Sequence, residues 1–209
     1  MKTFYRIKNL IVTTFVILIL LFGAACQNEI IDRPGYREYL FEAELSQFSD
    51  CTVVEPEEYF ASGKKCVGYL KNGSTLLWRV YLSEADENGM LTFSVSCPMG
   101  WIGVHNLPQT FKFDSLYAIT VNGERVKAEK TVQGSSSVDD SGNYYYWVLV
   151  RVNVKLLEGE NQILLSVINE DGNTYSSYGN VDYLSVFTGA TASWERNDTT
   201  RSSKKYNTW

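Results

Sequence analysis

Apolar residues recur at every second position over most of this chain. Leu76, Trp78, Val80 and Leu82 alternate with Leu77, Arg79 and Tyr81, the period of a strand with one face buried. Leu91, Phe93, Val95 and Cys97 share a face of a second run. Ile119 and Val121 lead into Asn122-Gly123, a two-residue hairpin signal, with Val126 beyond it. Val148, Val150, Val152 and Val154 point one way, and Trp147, Leu149, Arg151, Asn153 and Lys155 the other. Glu158-Gly159-Glu160-Asn161 then turns the chain into Ile163, Leu165 and Val167. No stretch shows the period of an amphipathic helix, and there is no internal repeat. Short alternating strands with turns about every 8–12 residues predict an all-β fold, an antiparallel β-sandwich.

The two ends read differently. Lys2, Arg6 and Lys8 precede an almost wholly apolar stretch over residues 10–22, shorter than the roughly 20 residues that span a bilayer. Gly23-Ala24-Ala25 then leads into Cys26. Residues 1–25 are therefore expected to be a bacterial lipoprotein signal peptide, with Cys26 lipidated after cleavage. Leu21 stands five residues before Cys26, whereas the usual leucine stands three before. An ordinary secretory signal or an uncleaved anchor fits the same residues. The expectation is an exported chain, lipid-anchored at the bacterial cell envelope and touching the membrane through the lipid alone. Residues 26–38 read as a tether, 39–188 as the sandwich and 189–209 as a C-terminal tail, where periodicity fades and Ser, Thr, Asn and Lys accumulate. Trp194 and Trp209 are out of place in such a tail and are candidates to dock on the domain.

Charge narrows the partners. Setting aside Lys2, Arg6 and Lys8 from the 19 basic residues leaves 16 against 24 acidic ones, a net charge near −8. That excludes nucleic acid and anionic surfaces as natural partners and suits neutral ligands and cations. Beyond the leader, Cys51, Cys66 and Cys97 remain. Export permits a disulfide, and Cys51–Cys66, which bracket a hairpin-like stretch, is the expected pair. No zinc-ligand spacing is present, and His105 is the one histidine.

Five pieces of sequence, in order, resemble carbohydrate-binding modules of families 6 and 35, jelly-roll sandwiches of the galactose-binding-domain-like type. They are Phe41-Glu42-Ala43-Glu44; Val67-Gly68-Tyr69-Leu70 with Asn72-Gly73-Ser74; Thr120 to Val126; Val152 to Asn161; and Asn180-Val181-Asp182-Tyr183-Leu184. The likeness runs over about residues 39–188. It departs between Cys97 and Ser115, where Trp101, His105 and Pro108 sit in an apparent insertion that could cover a ligand site.

The resemblance implies a structural calcium ion joining the first and last strands through Glu42, Glu44 and Asp182. Carboxylates two apart on a strand share a face and can reach one hard cation. Spacing alone favours a solvated edge strand over a cation. For carbohydrate binding the resemblance implies Tyr69, Trp147 and Asn180. Alternation also turns Trp147 away from the valine face, and an aromatic so placed is either covered by a loop or used for binding. Tyr69 as sheet filler, Trp147 packed under the insertion and Asn180 as a turn residue are the competing readings. Tyr175 and Tyr178 lie close to Asn180 in sequence. Exchange of Trp147 for Ala is expected to abolish glycan binding at little cost in stability.

The expected function is thus non-catalytic binding of a polysaccharide or oligosaccharide, any glycoside hydrolase being a separate protein. The alternative is a sandwich that binds a protein partner or supports an assembly. Catalysis has little to stand on. No Ser–His–Asp order or nucleophile elbow is present, and the acids that could serve a glycosidase are those given to calcium.

Overall fold

The computed structural model describes residues 33–55, 61–96, 113–128, 130–138, 144–170, 178–197 and 205–207. The chain divides into two units, Met1–Pro34 and Gly35–Trp209. The leader, Cys26, Cys97, Trp101, His105, Tyr175 and Trp209 lie outside the described residues. Among the described residues no helix is long and apolar enough to cross a membrane.

The second unit is an antiparallel β-sandwich. In chain order its strands are β1 (Arg37–Glu42), β2 (Gln47–Ser49), β3 (Thr52–Val54), β4 (Cys66–Gly68), β5 (Thr75–Leu82), β6 (Asp86–Ser96), β7 (Tyr117–Val121), β8 (Glu124–Val126), β9 (Lys130–Val138), β10 (Tyr144–Leu156), β11 (Gly159–Val167), β12 (Val181–Thr188), β13 (Ala192–Glu195) and β14 (Lys205–Asn207). One sheet runs β3-β4-β12-β6-β10-β9, with β1 also on β12. The other runs β14-β13-β5-β11-β7-β8, with β2 also on β5. One short helix, α1 (Phe113–Leu116), leads into β7.

The alternation read from the sequence is what packs the layers. Leu76, Trp78, Val80 and Leu82 of β5, Leu91, Phe93 and Val95 of β6, the four valines of β10 and Ile163, Leu165 and Val167 of β11 are all buried in one core. Asn122 and Gly123 both have positive φ, +52° and +88°, the twist that joins β7 to β8 without splaying them. Two of the motif pieces lock together there. Asn122 Nδ2 donates to Asn161 Oδ1 (2.9 Å), and the Gln162 N–H donates to Asn122 Oδ1 (2.8 Å).

The strands of Phe41-Glu42 and Asp182-Tyr183 meet as expected: β1 pairs with β12 from Arg37↔Thr188 to Glu42↔Tyr183. A buried acid fastens them to β6. Asp86 accepts from Thr188 Oγ1 (2.6 Å), the Gly189 N–H (3.1 Å), the Asn88 N–H (2.8 Å) and Tyr36 OH (3.0 Å). Burial alone would raise its pKa, but these donors hold it below the ordinary carboxylate value.

Two expectations are corrected. The domain does not end at 188. β13 pairs with β5 and β14 with β13, and Ala190, Ala192 and Trp194 are core residues. Trp194 packs on Phe41 with ring centroids 5.3 Å apart. Two buried alanines and a tryptophan gave too short an apolar run to read as a strand. The second correction concerns the cysteines. Cys51 and Cys66 are both free, because the β3–β4 register sets Val54 opposite Cys66. Cys51 stands three residues further along, about 10 Å away, beyond the reach of a disulfide. Burial, with the Asp182 and Glu44 charges, pushes the Cys66 thiol up to about 12.

Candidate functional site

One corner of the first sheet gathers the three acids. β1 leaves β12 at Glu42 and turns through a 3-10 stretch, Ala43–Leu45. β4 takes its place on the same edge, meeting β12 at Val181↔Val67. On the other side, the β12–β6 register passes from Val181↔Val95 to Tyr183↔Ser94. Asp182 is therefore the extra residue of a β-bulge, a device that re-aims a side chain.

The Ser62–Lys64 turn fills the gap in the edge. The Ser62 N–H donates to Asp182 Oδ1 (2.8 Å), and the Ser62 hydroxyl donates to Glu42 Oε2. Gly63, at φ +59°, has Glu44 Oε1 and Glu42 Oε1 3.7 and 3.8 Å from where a Cβ would stand. So Glu42, Glu44 and Asp182 do converge. They do so through a 3-10 turn and a bulge, not along one strand face as expected for Glu42 and Glu44.

The electrostatics of this corner are unsatisfied. Asp182 is 3% exposed. Burial, then the Glu42 charge, raises its carboxyl to about 7 against the Ser62 and Ser94 hydrogen bonds. Glu44 is also raised to about 7, by burial and by Glu42 and Asp182. Burial raises Glu42 too, with the Ser62 hydroxyl opposing. Glu44 Oε2 is buried with no hydrogen-bond partner. Asp86 shows the contrast: four donors satisfy that acid, whereas at Glu44 the nearby Lys65 charge, itself paired with Glu55, offsets only part of the burial. Among the described residues, no group of three or more histidine, cysteine, aspartate or glutamate side chains is gathered so that it could hold a metal ion, the three acids of this corner included.

The second cluster lies two residues away on the same strands. Trp147 pairs with Ser96. The Ser96 N–H donates to Asn180 O, and the Asn180 N–H to Ser96 Oγ, both at 2.8 Å. The Val181↔Val67 pairing sets Asn180 opposite Gly68, and Tyr69 follows. Trp147, Ser96, Asn180 and Gly68 thus form a row across four strands at one end of the sheet, about 14 Å long at the usual strand spacing. The β10–β9 register also shifts between Tyr146 and Val148, so the row has a second bulge at Trp147.

The three sequence-chosen residues have different environments. Tyr69 is 71% exposed on left-handed backbone, φ +55°, a strained setting for a tyrosine. Asn180 is half-buried, and its side-chain amide has no hydrogen bond to a described residue. Trp147 is 2% exposed with Nε1 unpartnered. It is off the inter-sheet core as alternation predicted, but it is covered. The expectation that Trp147→Ala would spare stability is therefore corrected, since emptying a buried tryptophan site costs about 3–5 kcal/mol. Tyr178 is a core residue, not a rim contact.

Ser62, Gly63, Gly68 and Ser96 were not singled out from sequence. Their contributions are a backbone N–H, a missing side chain and a place in a register, which leave no mark beyond small residues near Cys66 and at a strand end.

No protein-family model matches the chain, and no curated protein does. Among solved structures, the fold is similar to a family 35 carbohydrate-binding module from Cellvibrio japonicus, at 17% identity and TM-score 0.49, over 75% of this chain and 96% of that one. It is similar to the C-terminal family 6 module of a marine laminarinase from Zobellia galactanivorans, at 20% identity and TM-score 0.44, over 72% of this chain and 98% of that one. It is also similar to an exo-β-1,3-galactanase from Phanerochaete chrysosporium, at 21% identity and TM-score 0.43, over 71% of this chain but 29% of the enzyme. These likenesses concern the layout of strands. The site residues rest on the geometry above.

Proposed function

We propose that this chain is a non-catalytic carbohydrate-binding protein, a calcium-stabilised β-sandwich carried at the bacterial cell envelope on a lipid at Cys26. The observation that carries the reading is the rim pair. A largely exposed tyrosine in strained backbone follows the glycine that lies against Asn180, whose side-chain amide has no hydrogen bond to a described residue. Sugar recognition needs those two things, a flat apolar face for the C–H side of a ring and an amide for its hydroxyls. One aromatic face and one amide predict weak affinity, roughly micromolar to millimolar.

Calcium suits the corner of Glu42, Glu44 and Asp182. The donors are hard oxygens, one of them buried and unpartnered, and calcium completes its shell with carbonyls and waters. The ion would neutralise the acids and tie β1, the Ser62 turn and β12 together, supplying no chemistry to a substrate. No catalytic role is assigned. A glycosidase needs two carboxylates about 5–10 Å apart across a cleft, and a hydrolase acting on the bound glycan would be a separate protein.

The burial of Trp147 favours a second reading, a sandwich that binds a protein partner, because it closes one end of the row. A glycan array separates the two. Wild type should bind, and Tyr69→Ala and Asn180→Ala should lose binding with unchanged melting. Wild type without any glycan ligand leaves the protein-binding reading. Labelling with a fatty acid, expected in wild type and lost in Cys26→Ala, tests the anchor.

A further inference from the structure

We infer that Gly68 is a positioning residue for the ligand: the space left by its missing side chain is the seat of the Asn180 amide. The inference rests on the carbohydrate-binding reading above. A Cβ on Gly68 would stand 2.6 Å from Asn180 Oδ1, and 3.0 and 3.2 Å from the two γ-methyls of Val54. The first separation is shorter than any contact a carbon and an oxygen make without bonding, so the amide occupies volume that every other residue type would claim. Unlike Gly63, Gly68 lies outside the left-handed region. It is needed for the close approach of a neighbour and not for its backbone freedom.

No hydrogen bond from a described residue holds the amide. Its backbone is fixed on the far side by the paired bonds with Ser96, while its side chain has no hydrogen bond to a described residue. The shelf at Gly68 therefore decides where the carboxamide sits. Tyr69 is the next residue, so the same position also sets the separation between ring and amide. A larger residue at 68 would move the amide relative to Tyr69. The displaced atom is the end of a flexible side chain, and Val54 lies on the short edge strand β3. Gly68→Ala should therefore fold and misplace the amide.

The test uses the full chain, isotopically labelled, as wild type, Gly68→Ala, Asn180→Ala, the double variant of these two, and Val54→Ala/Gly68→Ala. Calorimetry is run with the best glycan from an array, and the Asn180 side-chain amide resonance is followed by NMR. Gly68→Ala should shift that resonance and weaken binding about tenfold, the scale of one lost amide contact, as should Asn180→Ala. The double variant should bind no more weakly than either single one. Relief of the crowding by Val54→Ala should restore stability but not affinity. Wild-type affinity in Gly68→Ala, with affinity lost in Asn180→Ala, overturns the inference and leaves the carbohydrate reading standing. Should wild type bind no glycan, the carbohydrate reading falls, and an Asn180 resonance unmoved by Gly68→Ala removes the positioning role as well.

Discussion

Glu44→Gln should change the sign of its effect on stability when calcium is added. Without the ion, Glu44 is a partly buried carboxylate facing Glu42 and Asp182, its pKa raised from 4.5 to about 7. A group raised in the folded state contributes its full stability below the unfolded value and loses it as pH climbs through the folded one. The shift corresponds to about 3 kcal/mol at full shielding, and its partial exposure reduces this to roughly 1–2 kcal/mol. Glutamine keeps the shape and removes the charge. At pH 8 in EDTA the variant should thus melt about 3–6 °C above wild type, at the usual 2–4 °C per kcal/mol for a domain this size. Near pH 4.5 the difference should vanish, since wild-type Glu44 is then protonated. With calcium at a hundredfold over its Kd, wild type gains about 2.7 kcal/mol, and the variant, short of one ligand, should gain much less and melt below it. Scanning calorimetry over pH, with and without calcium, reads all of this. A variant that stabilises equally in both conditions refutes the cation at this corner while leaving the repulsion intact. A variant that never stabilises refutes the repulsion.

Tyr69→Gly should abolish glycan binding on an array while its melt stays level or rises slightly, because glycine adopts φ +55° without strain; a clear loss of stability would make Tyr69 a structural residue. Trp147→Phe removes an unpartnered buried N–H, a gain of about 1–3 kcal/mol, and part of the buried ring system, a loss of similar size, so the melt should shift little. A large fall in that variant would mean that relief of the N–H does not offset the lost packing. Removing residues 189–209 should unfold the domain or lower its stability by at least about 3–5 kcal/mol, the worth of Trp194 alone. A native melt after that truncation would return the segment to the status of a tail.

The sandwich was legible because its strands obey a strict period of two, with large side chains facing one core. The valines of β10 and the Leu76–Leu82 run left one sensible face to bury. β13 was missed because Ala192 and Trp194 follow the short turn Thr188-Gly189-Ala190-Thr191, and two inward positions are too few to establish a period. The cysteine pairing failed on register, which hydrophobic pattern does not fix for strands as short as β3 and β4. Tyr69, Asn180 and Trp147 lie at one end of a sheet, yet exposure could not be read for Trp147. Alternation says which face a side chain takes, and cover comes from elsewhere in the chain.

The same two strands carry both clusters, offset by two residues. Asp182 lies across from Cys66, and Asn180 across from Gly68, both following from the single pairing Val181↔Val67. The bulge at Asp182 is what makes this possible. Without the extra residue, Asp182 would take the place of Tyr183 in the ladder with β6, and its carboxylate could not meet Ser62 on the opposite edge. The register beyond it would slip by one, turning Leu184 and Val186 out of the core. Core packing therefore fixes the bulge, and the bulge fixes the acid at a set distance from the rim. Whatever compensates the three carboxylates also steadies β4 against β12, and with it the shelf under the Asn180 amide.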